Sequence, residues 1–181
     1  GCRATNYIAM LRKALKEAGM EQVPVISLNF AGLEKNPGFK LNYNIIKRAL
    51  MAVVYGDAMM RMLYRVRPYE VEKGAANALY ERWVAKAKAS LAEADWGEYC
   101  RNLSDMVREF DQLPQTGERK PRVGLVGEIL VKFHPDANNF AVDVVESEGG
   151  EAVMPDLADF LLYCCYNAAV RHRLLDGSMM A

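Results

Sequence analysis

Cys2 and Arg3 stand directly ahead of an amphipathic run, NYIAMLRKALKEAG at residues 6–19. A thiol at a helix mouth beside a guanidinium has its thiolate favoured by the positive end of the helix dipole and by the neighbouring cation. Such a sulfur suits nucleophilic attack or metal ligation; the competing reading is an exposed cysteine without a role. Cys164 and Cys165 are adjacent, but helical neighbours project about 100° apart, which disfavours a mutual disulfide or shared chelation. They are expected mostly in the core, and stay as weak alternatives for metal ligation. Cys100 falls within an apolar stripe and is expected to pack as a small hydrophobe. His134 and His172, the two histidines, are far apart and lack metal-ligand spacing. His134 precedes a proline and is expected to be solvated.

Other candidates are weaker. Asp57 beside Gly56 is unusual on an apolar helix, and a pair with Arg61 one turn later accounts for it. Gly124 and Gly127 form a G-x-x-G around a strand end, too short for a dinucleotide fingerprint. No G-x-x-x-x-G-K-S/T occurs in the sequence, so these residues show no machinery for nucleotide hydrolysis.

The elements that must position these groups follow from periodicity. Tyr7, Ile8, Leu11, Ala14, Leu15 and Ala18 make a one-faced helix that Gly19 stops. VPVISL at 23–28 reads as a buried parallel strand. RVGLVG at 122–127 is a second strand, a helix runs from Asn138 or Asn139 to Gly149, and EAVM at 151–154 is a third strand. This order is that of a parallel α/β sheet of Rossmann or flavodoxin-like type. Between its pieces lies a large all-helical insert. One helix over 42–66 is expected to bury Ile45, Ile46, Ala49, Leu50, Val53, Met60, Leu63 and Tyr64. A second buries Ala76, Leu79, Tyr80, Trp83, Val84, Ala87 and Leu91. A third begins at an Asp95/Glu98 capping box and buries Trp96, Tyr99, Cys100, Leu103, Met106, Val107, Phe110 and Leu113. The last helix starts near Asp156, its candidate N-cap. The predicted organisation is a partial α/β unit at 1–41, the helical insert at 42–113, a polar linker at 114–121, and an α/β unit with a C-terminal helix at 122–181.

In open α/β sheets ligands gather beyond the carboxyl ends of the strands. That rim should carry the loop from Asn29 to residue 41, the loop holding Glu128, Lys132 and His134, and the Cys2 segment after a strand expected upstream. The opening residues read as the end of a loop, so the chain is expected to be a fragment of a longer one.

Bulk properties narrow the partners. Lys and Arg total 23 and so do Asp and Glu, a balance that advertises neither nucleic acid nor an anionic membrane. With 51% hydrophobic and 25% charged residues the composition is globular. FLLYCCYNAAV falls short of the roughly 20 residues of a membrane span, no signal peptide is visible, and four cysteines without framework spacing point to the reducing cytoplasm.

The stretches GCRATNYIAMLRKALKEAG, VPVISLN, RVGLVGEILVKFHPDANN and ESEGGEAVMPDLADFLLY carry a resemblance over nearly the whole chain. It resembles the dehydratase-like portion of large proteins related to the activator of 2-hydroxyglutaryl-CoA dehydratase, the CoA-substrate-specific enzyme activase family. Those proteins join an ATPase activator region, of the acetate-kinase and Hsp70 type, to a part similar to the iron–sulfur subunits of 2-hydroxyacyl-CoA dehydratases; this chain is similar to the second part. The resemblance implies an anaerobic electron-transfer module that holds a 4Fe–4S cluster through cysteines on strand-end loops and takes an electron from an ATP-hydrolysing activator. Cys2 is the residue that carries over, from a motif that reads Gly-Pro-Cys-Arg in relatives and lacks its proline here. The remaining ligands are expected from the parent polypeptide or a second subunit, and this piece alone is expected to bind no cluster and to be inactive. Implied partners are the rest of the parent, including its ATPase region, and an acyl-CoA. Two other readings stay open: a non-catalytic α/β domain gripping acyl-CoA or phosphate with the 29–41 and 127–137 loops, and a subunit-docking module.

Overall fold

The computed structural model of the chain describes residues 6–25 and 42–175. The expectations for Cys2, Arg3, Asn29 and residues 26–28 lie outside them. Two compact units divide the chain, residues 1–42 and 43–181.

In the first unit, α1 spans Tyr7–Glu17. It closes as its glycine requires: Gly19 adopts φ 69°, its N–H donates to Lys16 O at 3.1 Å, and that of Met20 to Leu15 O at 2.8 Å. This is the Schellman pattern, in which a left-handed residue lets two late amides satisfy the helix's last carbonyls. Val23 to Val25 belong to no strand.

The second unit begins with three long helices, α2 (Tyr43–Val66), α3 (Ala75–Glu93) and α4 (Trp96–Asp111). Their shared core is Met51, Tyr55, Met59, Leu63 and Val66 from α2, Ala76, Leu79, Trp83 and Ala87 from α3, and Tyr99, Met106 and Phe110 from α4. Positions three and four apart on each helix form one continuous stripe. The stripe of α2 is rotated from the expected one: Ile45, Ile46 and Leu50 are exposed, and of the residues expected inside only Leu63 belongs to the core. Alpha2 is apolar around most of its girth, so periodicity admits more than one face. Met60 instead faces a second, smaller cluster, and Tyr64 packs against both. On α4, Trp96 and Val107 are exposed, as is Cys100, whose expected burial is thereby corrected.

Helix ends are closed by identifiable groups. Asp95 caps α4 by accepting from the Glu98 N–H at 2.7 Å. Glu70 caps α3 from outside the helix, accepting from Gly74 N–H at 2.7 Å and Ala76 N–H at 2.8 Å. At the other end of α3, Lys47 donates to Ala94 O at 2.6 Å and Arg48 to Ala92 O at 2.7 Å. Cations on carbonyls at a helix C-terminus are favourable by charge and by hydrogen bonding.

The segment after α4 is tied down rather than free. Pro114 O accepts from Val71 N–H at 3.0 Å and Tyr69 O from Thr116 N–H at 2.7 Å. It leads into β1 (Arg122–Gly124), α5 (Ile129–Phe133), α6 (Ala141–Ser147), β2 (Glu151–Val153) and α7 (Leu157–Leu175). Beta1 and β2 pair in parallel with Arg122 opposite Glu151 and Gly124 opposite Val153. The fold is therefore mixed α/β, mostly helical, with a small two-stranded parallel sheet among the described residues. Alpha6 starts later than expected because Asn139 and Phe140 are left-handed, with φ 56° and 54°. Asn138 sets that start, accepting from Ala141 N–H at 3.1 Å while donating to Lys132 O at 2.9 Å. A Cβ at Gly150 would lie 2.9 Å from Val145 Cγ1 and 3.1 Å from Val145 O, so a larger residue there forces its neighbours to shift. Ala152, Met154 and Val142 form the second core cluster with Met60, Tyr64, Phe133 and Val145. Among the described residues no helix is long and apolar enough to cross a membrane.

Candidate functional site

Beyond the carboxyl ends of β1 and β2 the chain enters two short segments, 125–128 and 154–156, which lead into α5 and α7. The parallel ladder continues one step here, Leu125 N–H donating to Val153 O at 2.8 Å. Three residues expected on this rim fall within the described chain, and they take different roles. Glu128 is the N-cap of α5 and accepts from Val131 N–H at 3.1 Å. Lys132 reaches across to Pro155 O at 3.4 Å and lies 4.4 Å from the centre of the Phe133 ring. His134 is exposed and stands 3.9 Å from Asp136.

A charged knot occupies the start of α7. Both oxygens of Asp57 accept from this helix, Oδ1 from Leu157 N–H at 2.9 Å and Oδ2 from Ala158 N–H at 2.7 Å. The expected Asp57–Arg61 pair is thus replaced: Arg61 binds Asp156 at 2.9 Å and Asp159 at 3.6 Å. Asp156 holds the expected N-cap position, its carbonyl accepting from Phe160 N–H at 3.3 Å, but among the described residues its side chain is turned to Arg61 and does not cap the helix. A carboxylate a hundred residues away in sequence competes better, because it meets two free amides at once from a rigid helix. Asp156 Oδ1 is buried without a hydrogen-bond partner among the described residues. Burial, reinforced by Asp57 and Asp159 against the opposing Arg61, pushes its carboxyl above the ordinary range.

Behind this rim lies a cavity of about 370 Å³ lined by the apolar Met60, Leu63, Val142 and Met154 and by polar groups from Tyr64, Asn77, Tyr80, Glu81, Lys132 and Asn138. Its size suits a small ligand. Arg67 at its edge is held by Glu146 through a fork of 2.7 and 3.0 Å, with Asp143 and Asn77 each at 3.3 Å. Burial opposes the Arg67 charge, but the hydrogen bond and charge of Glu146 outweigh it and its pKa is raised. In Glu146 burial wins over the same pairing, and the carboxyl is raised too. Burial also raises the Tyr64 phenol. Arg67 is thereby committed to structure. The cavity can enclose an apolar group and offer hydroxyls, amides, the Lys132 ammonium and the Glu81 carboxylate; among the described residues no cysteine or histidine lines it.

Sequence reasoning placed Lys132 on the loop after β1 and the structure sets it beside this cavity, whereas Tyr64, Asn77 and Tyr80 were not among its site residues. The spacing of Asn77 and Tyr80, one turn apart on α3, was the available signal, but Tyr80 was assigned wholly to the core. Cys164 and Cys165 are exposed on α7, which corrects the expectation of burial. Among the described residues no group of three or more His, Cys, Asp or Glu could hold a metal ion. Cys2 and Arg3 lie outside those residues. No family model, curated protein or solved structure matches the chain.

Proposed function

We propose that the chain is the dehydratase-like module of a larger protein related to the activators of 2-hydroxyacyl-CoA dehydratases, serving electron transfer at an iron–sulfur centre in the parent and inactive alone. The observation that carries the reading is the resemblance of four stretches, two of which fall on the parallel strands and their rim: RVGLVGEILVKFHPDANN runs from β1 through α5, and ESEGGEAVMPDLADFLLY from the end of α6 into α7. Supporting it, the parallel pairing of β1 and β2 sends both following segments to one edge, where such modules place their ligands.

The described residues by themselves do not fit a 4Fe–4S cluster, which takes four thiolate or equivalent ligands. Among the described residues the exposed pair Cys164 and Cys165 has no third donor beside it. In this reading Cys2 supplies a ligand and the parent polypeptide the rest. The test is anaerobic iron–sulfur reconstitution of the full-length parent, wild type against Cys2→Ala. The variant should lose bound iron, sulfide and visible charge-transfer absorption; undiminished values in the variant would refute the assignment of Cys2.

A further inference from the structure

Two grooves meet at the amino ends of the strands and share Arg65, Arg122 and Glu151. The first, about 410 Å³, lies between Arg65 and the segment 115–120. The second, about 550 Å³, continues along Val126, Val153 and Met154. The two differ in character, polar and basic in the first, apolar along the sheet in the second.

The charges in the first groove do not cancel. Glu151, almost fully buried, is satisfied within the protein by Arg122 at 3.1 Å and the Tyr69 hydroxyl at 2.7 Å. That leaves Arg65, Arg119 and Lys120 against the single remaining acid, Glu118. None of the three cations has a carboxylate partner among the described residues, whereas Arg61 next door is held by two. The wall is also fixed in advance. Tyr69 grips the segment at both ends, its carbonyl accepting from Thr116 N–H at 2.7 Å and its hydroxyl from Lys120 N–H at 3.3 Å. A preset wall lowers the ordering cost of binding, and guanidinium forks match phosphate oxygens.

We infer that this groove binds a small organic phosphate, the phosphate between Arg65, Arg119 and Lys120 and the apolar body along Val126, Val153 and Met154. The inference is independent of the iron–sulfur reading, and it sets the anion at the amino end of the strands rather than in the 127–137 loop where sequence placed a phosphate grip.

The probe is 1-naphthyl phosphate, titrated against the full chain by its fluorescence, with 1-naphthol as the uncharged control. Saturable binding is expected for the phosphate and not for the alcohol. Arg65→Ala combined with Arg119→Ala should weaken it by about a hundredfold, near tenfold for each charged hydrogen-bonding partner lost, while Lys88→Ala, on the solvent face of α3, leaves it unchanged. Val126→Ser, which adds no charge, should weaken it through the apolar half alone. Arg65 and Arg119 are solvent-exposed, so the double variant should keep the wild-type circular dichroism. Absence of saturable binding, or equal affinity in the wild type and a folded double variant, would overturn the inference.

Discussion

Asp57 stands one residue after a glycine in mid-helix, a place where local reasoning finds only an i, i+4 partner for it. Its true partners are the Leu157 and Ala158 amides at the head of α7. The free amides of a helix's first turn need acceptors, and a cap of this kind contributes about 0.5–2 kcal/mol. Asp57→Ala should therefore cost about 1–2 kcal/mol in urea denaturation and speed hydrogen exchange at Leu157 and Ala158, with Asp57→Asn costing less because an acceptor remains. Unchanged exchange at those two amides would contradict the capping role. The same long reach explains why this residue was misread: sequence shows neighbours three and four apart, not a helix a hundred positions on.

At the scale of elements, α4 shows what periodicity can and cannot decide. Its limits and its Asp95 cap were legible, because the Asp-x-x-Glu signal is local. Which side of the apolar band faces inward was not. Tyr99, Met106 and Phe110 are buried, while Val107 is 54% exposed. Phe110→Ala should cost about 3–5 kcal/mol as a cavity opens in the three-helix core. Val107→Ala should stay within about 0.5 kcal/mol of wild type. Thermal or urea unfolding distinguishes the two, and similar costs would place the stripe wrongly. The parallel pair β1–β2 was legible for the converse reason: short β-branched or apolar runs after Gly-containing turns have few other uses.

Over the second unit as a whole, Asp156 and Glu146 both hold their protons more tightly folded than unfolded, chiefly through burial. For an acid raised in the folded state, the unfolded chain binds fewer protons between the ordinary and the raised value, so stability falls as pH climbs through that window. Urea midpoints measured from acid to neutral pH should show this decline above the ordinary carboxylate range, and Asp156→Asn should flatten part of it. A slope identical in the variant would remove Asp156 as a cause. Sequence by itself determined the long helices, two parallel strands and the helix ends at Gly19 and Asp95, since each depends on residues within a turn or two of one another. Only the tertiary structure decided which face of α2 is inside, that Cys100, Cys164 and Cys165 meet solvent, that Asp57 serves α7, and that Arg65 and the 115–120 segment share a groove. Those outcomes depend on which surfaces meet across long stretches of chain, and burial is a property of the meeting rather than of either residue alone.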